Sequence, residues 1–346
     1  MGDPVGSDDP RGDAGTGLGG RLTVQATPRV LIAFDGSPSA ATAVRAVAGL
    51  FPTAQASVVT VPETTVHAAT AFPELAATSP DVVQQVIDEL GAEARRQADE
   101  TAQQAVDPAR ELGLQAEVVA VDPSAPAWAA LLDAAHRVAA DVIACGTRGR
   151  GAFARALLGS TSSRLLHDTD VPLLVVPDGG GTLDGPVVAA YDGSRGATRA
   201  IQVVGRLLGG RAAVVVHAWE PVFRRSLAAR ALAAAPVDDL HATVTDLHQT
   251  LADRAAARTQ DGVAAARAAG LDAVGETIES DEGAWRAVAA AARTHGASVI
   301  VTGTRGLGAA RSALLGSVSS GLVQNAELPI LVVPHEPAAA AVRENG

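Results

Sequence analysis

With 346 residues, the chain is long enough for about two domains of ~150 residues each. A net charge of −11 and a pI near 5.2 argue against a nucleic-acid-binding protein, which would carry a basic surface. The single cysteine, Cys145, excludes an internal disulfide and a thiol-rich metal site. No apolar run approaches the ~20 residues of a membrane-spanning helix, and the N-terminus has no apolar signal core. We therefore expect a cytoplasmic protein with no membrane or nucleic-acid partner.

The first half of the chain alternates between apolar strands and helices. Residues 1–27 are rich in Gly, Asp and Pro and predict a disordered tail. The apolar run 29–34 then predicts a strand buried on both faces, and Ser37–Pro38 predicts the start of an Ala-rich helix. The later elements are predicted in this order: strand 57–61, loop 62–80, helix 81–112, strand 117–121, helix 125–139, strand 141–145, helix 160–167 and strand 171–177.

The second half repeats this order after residues 178–185, whose composition is typical of a flexible linker. Residues 336–346 predict a short polar tail. The alternation predicts doubly wound α/β domains with a parallel sheet between two helical layers. The strands are predicted near 187–190, 213–218, 274–278, 298–302 and 328–333.

A constant offset of 157 residues relates the two halves. It joins Asp35-Gly36-Ser37 to Asp192-Gly193-Ser194. It also relates two copies of a glycine pattern, in which G-x-x-G is separated by nine residues from G-[ST]. These copies begin at Gly146 and Gly303. Two copies in register predict two copies of one domain, at 28–177 and 186–335.

The glycine pattern predicts a phosphate-binding site. In an open parallel sheet, ligands bind beyond the carboxyl ends of the strands where strand order reverses. In the order 3-2-1-4-5, the strands that lead to Asp35 and Gly146 are neighbours at this point. Glycine lets a ligand approach the backbone, and the helix start at Gly159-Ser160 offers free N–H groups to an anion. The alternative is that the glycines form turns and the serine only caps its helix.

Both halves supply candidate ligand contacts. Asp35 and Asp192 are suited to a ribose hydroxyl or to Mg²⁺ bound to phosphate. Arg148 and Arg305 are candidate phosphate contacts, with a solvated position as the alternative. The other candidates are the glycines and helix-start residues of the two patterns: Gly146, Gly149, Gly159, Ser160, Thr161 and Ser162, and Gly303, Gly306, Gly316, Ser317, Val318, Ser319 and Ser320.

These motifs together resemble the universal stress protein family in its tandem two-domain form, over 28–177 and 186–335. The resemblance rests on the segment 30–37, on the pattern from Gly146 to Ser160, on 171–177, and on their partners in the second half. It implies two flavodoxin-like (adenine nucleotide α-hydrolase-like) domains, each with five parallel strands in the order 3-2-1-4-5. It also implies that ATP lies across each sheet end, accompanied by Mg²⁺.

The resemblance has two further implications. A residue at the end of the second strand, Val61 or Ala218, would bind adenine through its backbone. Because family members commonly pair through their fifth strands, residues 171–177 and 328–334 would pair within one chain, and a homodimer is left open as a further assembly.

Three classes of function fit the sequence. The leading hypothesis is a non-catalytic, ATP-binding stress-response protein with one nucleotide site per repeat, over which residues 62–80 and 219–237 would form lids. A slow ATPase or phosphate-transferring enzyme is the second hypothesis. It lacks the motif G-x-x-x-x-G-K-[ST] and a kinase catalytic loop, so no catalytic residue is assigned. The third is a nucleotide-free protein-interaction dimer that keeps its glycines for the fold.

Other chemically distinctive residues have simpler interpretations. Trp128 and Trp285 are predicted to pack in the core, and Cys145 is predicted to be a small buried hydrophobe. His217 has Thr60 as its counterpart in the first half, which argues against a catalytic role.

Overall fold

The structure is a computed structural model, and it describes residues 27–62, 80–122, 125–147, 158–221, 238–304, 315–325 and 327–335. No helix within these ranges is both long and apolar enough to cross a membrane. The predicted tails at 1–27 and 336–346 lie outside them except for residue 27. The segments 63–79 and 222–237, which make up most of the two predicted lids, also lie outside them.

In the first half, the described residues form five strands and four helices in alternation. Ser37 caps the first helix, because its hydroxyl accepts a hydrogen bond from the Ala40 N–H (3.2 Å). The elements are β1 (Arg29–Ala33), α1 (Pro38–Leu50), β2 (Gln55–Val59), α2 (Pro80–Glu111), β3 (Gln115–Val118), α3 (Ala127–Arg137), β4 (Val142–Gly146), α4 (Ser160–Asp168) and β5 (Leu173–Val176).

The second half repeats this order. Ser194 caps its first helix in the same way, by accepting from the Ala197 N–H (3.1 Å). The elements are β6 (Val187–Ala190), α5 (Arg195–Leu208), β7 (Ala212–Trp219), α6 (Asp238–Ala268), β8 (Asp272–Glu279), α7 (Ala284–Thr294), β9 (Val299–Gly303), α8 (Ser317–Asn325) and β10 (Ile330–Val333).

Two strands of the first half begin earlier than the sequence predicted. β2 starts at Gln55 rather than at residue 57, and β3 starts at Gln115 rather than at residue 117. The cause is tertiary: the Gln55 N–H donates to the Pro28 carbonyl (2.9 Å), and the Gln115 N–H donates to the Ala54 carbonyl (3.1 Å). A polar residue at a strand start thus joins the sheet through a backbone hydrogen bond to the neighbouring part of the sheet. Local hydrophobicity does not predict this hydrogen bond.

All ten strands form one sheet in the order β3-β2-β1-β4-β5-β10-β9-β6-β7-β8. Each half therefore has the predicted order 3-2-1-4-5, and its five strands are parallel. β1 lies beside β4, and β6 lies beside β9. These are the points where strand order reverses in each half.

The halves join through their fifth strands, as predicted for 171–177 and 328–334. β5 and β10 are antiparallel, with Leu174 opposite Leu331 and both side chains buried. This pairing covers two apolar strand edges that would otherwise invite aggregation. Because the two halves run in opposite directions, the carboxyl ends of their parallel strands lie at opposite edges of the sheet.

Two apolar layers, one on each face of the sheet, extend across both halves. One contains Val47 and Ile201 from the helices that follow β1 and β6. The other contains Leu165 and Leu322 from α4 and α8. Both layers also include side chains of the fifth strands, so the core is continuous from one half to the other.

Residues 178–185 are more constrained than a flexible linker. The Leu183 side chain packs against the apolar layer that contains α1, and a Cβ at Gly49 of α1 would lie 2.4 Å from Leu183 Cδ1. The Arg211 guanidinium donates to the Leu183 carbonyl (2.7 Å) and to Ser298 Oγ (3.3 Å). A composition rich in glycine predicts a flexible linker, but it does not show that one of its leucines packs against the first half.

The two tryptophans predicted to pack in the core are partly buried against the layer that contains α4 and α8. The guanidinium carbon of Arg164 lies 5.1 Å from the centre of the Trp128 ring. In the second half Arg286 takes this place, 4.7 Å from the Trp285 ring. Both contacts are of the cation–π type, and they support the packing role.

Candidate functional site

An Asp-Gly-Ser turn follows the first strand of each half. The Ser37 N–H donates to Asp35 Oδ1, and the Ser194 N–H donates to Asp192 Oδ1, both at 2.9 Å. Gly36 and Gly193 have φ values of 79° and 82°, which favour glycine. The turn thus holds a half-buried carboxylate at the carboxyl edge of the sheet in each half.

The glycine loop of each half is closed at its base by two backbone hydrogen bonds. The Thr147 N–H donates to the Val176 carbonyl (3.0 Å), and the Gly159 N–H donates to the Thr147 carbonyl (2.9 Å). The matching bonds join Thr304 to Val333 (3.0 Å) and Gly316 to Thr304 (2.7 Å). The chain that leaves β4 or β9 therefore returns to the same place before the next helix begins.

A serine in the first turn of that helix fastens the helix to the strand. Ser162 Oγ donates to the Gly146 carbonyl (3.0 Å), and Ser319 Oγ donates to the Gly303 carbonyl (2.7 Å). Both side chains are buried. We had expected these hydroxyls to contact a ligand, whereas here they satisfy carbonyl groups of the protein.

Gly146 and Gly303 are needed for packing between strand and helix. A Cβ at Gly146 would lie 2.4 Å from Ser39 Oγ and 2.9 Å from the Ser39 carbonyl carbon. A Cβ at Gly303 would lie 2.8 Å from the backbone of Gly196. The space beside these two glycines is therefore filled by α1 and α5.

Among the described residues of the glycine pattern, those at the exposed start of α4 are well placed for an anion. Its N-cap residue, Gly159, has no side chain to accept from the first-turn N–H groups, in contrast to Ser37 at the start of α1. The Ser160 side chain is exposed, and so is that of Ser317 at the matching position of α8. These N–H groups and hydroxyls face the same edge as the Asp-Gly-Ser turn of their half.

Two hydroxyls near Gly146 were not singled out by the sequence. Ser39 Oγ and Thr147 Oγ1 are buried and have no hydrogen-bond partner among the described residues. In the second half Gly196 replaces Ser39, and Thr304 Oγ1 accepts from the His335 N–H (3.1 Å). An unpaired buried hydroxyl is costly, so this corner of the first half favours a polar partner. The only clue in the sequence is that both residues flank the predicted crevice.

The ends of the second strands differ between the halves. The Thr60 hydroxyl donates to the Phe34 carbonyl (2.6 Å), and at the matching position His217 Nδ1 lies 2.8 Å from the Tyr191 carbonyl. Val61 lies two residues beyond β2, whereas its counterpart Ala218 lies within the longer strand β7. The two predicted adenine contacts therefore lie in different backbone surroundings.

His217 is a buried base near the second turn. Burial lowers its pKa, and the charge of Arg258 lowers it further, whereas the hydrogen bond to Tyr191 and the charge of Asp192 oppose the shift. The neutral imidazole is therefore favoured, with a proton on Nδ1 that it donates to the Tyr191 carbonyl.

Cys145 is buried near the end of β4, as predicted. Its thiol lies 3.7 Å from Ser162 Oγ, and burial raises its pKa to about 11. A thiol in this state is a poor nucleophile.

Several predicted contacts remain predictions because they lie outside the described residues. These are Arg148, Gly149, Arg305 and Gly306. Among the described candidates, the structure brings Asp35 and Gly146 to neighbouring strand ends, and it does the same for Asp192 and Gly303. No group of three or more His, Cys, Asp or Glu side chains that could hold a metal ion occurs in the described part of the chain.

Known sequences similar to this chain include two mycobacterial proteins. A universal stress protein of Mycobacterium tuberculosis is 29% identical over 199 residues, which cover 56% of this chain and 61% of the relative. A universal stress protein of Mycolicibacterium smegmatis is 30% identical over 213 residues, which cover 59% of this chain and 64% of the relative. The similarity thus spans somewhat less than two thirds of the length of these curated relatives.

A solved structure and a family profile extend the comparison to nearly the whole chain. The crystal structure of a universal stress protein from Archaeoglobus fulgidus has a TM-score of 0.56 at 21% identity, and the match covers 90% of this chain and 99% of that one. This likeness shows a shared fold. The profile described as "Universal stress protein family" matches residues 27–177 and again 185–334. The chain therefore belongs to the universal stress protein family and contains two of its domains in tandem.

Proposed function

We propose that the protein binds ATP, with one site at the carboxyl edge of each half, and that it acts in a stress response without catalysing a reaction of its own. One observation supports the proposal. In each half, a half-buried aspartate follows the first strand and an exposed helix start follows the fourth strand, and these two strands are neighbours where strand order reverses. This is where open α/β sheets bind nucleotides.

Different residues among those described would bind different parts of the nucleotide. First-turn N–H groups of α4 and α8, with the hydroxyls of Ser160 and Ser317, would bind the phosphates. Asp35 and Asp192 would contact the ribose or a magnesium ion, and Val61 and Ala218 would contact adenine through their backbones. The chain has 27 arginines and no lysine, so a permanently cationic side chain that contacts a phosphate would be an arginine.

Magnesium fits this arrangement only as a companion of the nucleotide. Each turn offers one carboxylate, so phosphate oxygens and water would supply most of the ligands, as is common for this ion. When bound, the ion would neutralise phosphate charge. The carboxylates of Asp35 and Asp192 are already oriented for such a contact by the Ser37 and Ser194 N–H groups.

The test uses positions where a substitution does not disturb packing. In the Ser160→Glu, Ser317→Glu variant, two carboxylates occupy the exposed helix starts, where they favour the helix dipole but repel phosphate. We expect the affinity for ATP to fall by about a hundredfold or more in titration calorimetry, with no loss of thermal stability. The Ser160→Gln, Ser317→Gln variant adds similar bulk without charge and should retain most of the affinity. Equal affinity in all three proteins would refute the proposed site.

A nucleotide-free interaction protein is the second candidate function. It is favoured by the finding that Gly146, Gly303, Ser162 and Ser319 have roles in the fold itself. Mass spectrometry of small molecules released from the denatured protein separates the two functions. Recovered adenine nucleotide supports the ATP-binding function, and its absence together with no binding in calorimetry supports the second.

A further inference from the structure

Trp219 is the last residue of β7 and directly follows Ala218, the residue expected to bind adenine in the second half. β7 pairs with β8 as far as Trp219, but it pairs with β6 only as far as Val216. Residues 217–219 therefore project past the end of β6, beside the point where strand order reverses. The Trp219 side chain is only partly buried there.

The backbone of Ala218 is directed towards this point. In a parallel sheet, successive residues of a strand turn their N–H and C=O groups to opposite neighbouring strands. The Val216 carbonyl accepts from the Tyr191 N–H (2.9 Å), on the side of β6. The Trp219 carbonyl accepts from the Ser280 N–H (3.0 Å), on the side of β8. The polar groups of Ala218 therefore face the side of β6, beyond the end of that strand.

The Trp219 indole is held by α6 and β8. The centres of the Trp219 and His248 rings are 5.3 Å apart, and the ring planes are tilted by 57°. His248 belongs to α6, and its Nε2 lies 3.2 Å from Glu279 Oε2. Glu279 is opposite Trp219 in the pairing of β8 with β7. The imidazole thus contacts both a carboxylate and the indole, and this contact orients the indole at the carboxyl edge of the sheet.

We propose that Trp219 stacks on the base of the nucleotide at the second site and that His248 positions the indole for this contact. The inference rests on the proposed function, which it deepens by naming a side chain that recognises the base. A base that bonds to the Ala218 backbone has the adjacent indole beside one of its faces. Because both rings are flat and apolar over most of their area, stacking removes apolar surface from water and adds dispersion contacts.

Tryptophan fluorescence tests the contact without changing Trp219. The chain has three tryptophans, so the Trp128→Phe, Trp285→Phe variant reports on Trp219 alone. We expect ATP to change the Trp219 emission, with saturation at the concentration that saturates binding in titration calorimetry. Inorganic tripolyphosphate, which has no base, should leave the emission unchanged. Binding of ATP with no change in emission, or an equal change with tripolyphosphate, would overturn the inference alone.

Titration calorimetry measures the contribution of the indole. Trp219→Ala should lower the affinity of one site for ATP by about tenfold, and Trp219→Phe should retain most of that affinity because it keeps an aromatic ring. Neither variant should change the affinity for tripolyphosphate. An unchanged affinity of Trp219→Ala for ATP would refute stacking. If Trp219→Ala lost affinity for both ligands through damage to the fold, the fluorescence experiment would decide.

His248→Ala and His295→Ala form a matched pair that tests the positioning role. His295 Nε2 lies 2.7 Å from Glu276 Oε2, so each variant removes an imidazole that is paired with a glutamate of β8. His295 lies at the C-terminal end of α7. His248→Ala should weaken the binding of ATP but not of tripolyphosphate, whereas His295→Ala should change neither. No loss in His248→Ala, or an equal loss in both variants, would refute this role.

The proposed function has a separate outcome in the same titrations. If the wild type failed to bind ATP at all, the proposed function would be overturned, and this inference with it.

Discussion

Ser39 lies very close to Gly146. A Cβ added at Gly146 would lie 2.4 Å from the Ser39 hydroxyl oxygen and 2.8 Å from the Ser39 Cβ. The first helix of each half thus packs on the last residue of the fourth strand. This contact changes what a substitution at the glycine measures: a valine there would disturb the fold, so loss of ATP binding in such a variant would not identify a ligand contact.

The first prediction follows from this packing. Gly146→Ala should lower the free energy of unfolding by about 1–3 kcal/mol through overpacking. Adding Ser39→Gly removes two of the three close atoms and should restore part of that loss. Gly303→Ala should cost at least as much, because its neighbours are backbone atoms of Gly196, which no substitution removes. Urea unfolding measures all four proteins, and a neutral effect of Gly146→Ala would contradict the packing described here.

The second prediction concerns cooperativity. Because the sheet and both apolar layers are continuous across the halves, we expect them to unfold together. In a Trp219→Phe, Trp285→Phe background, Trp128 fluorescence reports only on the first half. Adding Gly303→Ala in the second half should shift the Trp128 transition and the circular-dichroism transition equally. A Trp128 transition that stays in place would mean that the halves unfold independently.

The third prediction is a pH dependence of stability. Folding lowers the pKa of His217, chiefly by burial. The unfolded chain, in which the pKa of this imidazole is about 6.5, therefore binds the proton more tightly than the folded protein does. The stability from the neutral imidazole is therefore complete above about pH 6.5, and it is lost as the pH falls from there through the folded-state pKa. His217→Thr replaces the imidazole by the residue found at the equivalent position in the first half, which also bonds to a strand-end carbonyl. This variant should lose less stability than the wild type between about pH 7.5 and pH 5.

Melting temperatures across that range check this expectation. His167→Thr, at an exposed position on α4, is the control and should follow the wild type. A His217→Thr curve parallel to that of the wild type would refute the role of burial.

The fourth prediction concerns the single thiol. With a pKa of about 11, roughly one Cys145 thiol in a thousand is ionised at pH 8, and the side chain is buried. Labelling with a disulfide reagent should therefore be slow in the native protein and complete within seconds in denaturant. Rapid labelling of the native protein would show that the structure around the end of β4 opens easily.

Patterns that repeat along the chain made the fold predictable. The buried parallel strands were predictable because they appear as continuous apolar runs. The strand order of each half and the pairing of the fifth strands were implied by the family resemblance, and the structure shows both. The exact starts of β2 and β3 were not predictable, since Gln55 and Gln115 enter the sheet through hydrogen bonds to residues that are distant in sequence and lie just before the neighbouring strands.

The candidate site was predictable in position and less so in the role of each residue. Asp35 and Gly146 were expected at neighbouring strand ends and are found there. The buried serines Ser162 and Ser319 were expected to face a ligand, yet they bond to strand carbonyls. Sequence spacing shows that a serine is in the first turn of a helix but not which way its hydroxyl points.

By itself, the sequence determined that there are two similar α/β halves, because both copies carry the same turn and the same glycine pattern at one constant offset. Only the tertiary structure decided that the linker is anchored by Leu183 and that Arg258 lies against the second Asp-Gly-Ser turn. Both depend on contacts between segments far apart in the chain, where packing rather than local pattern sets which atoms meet.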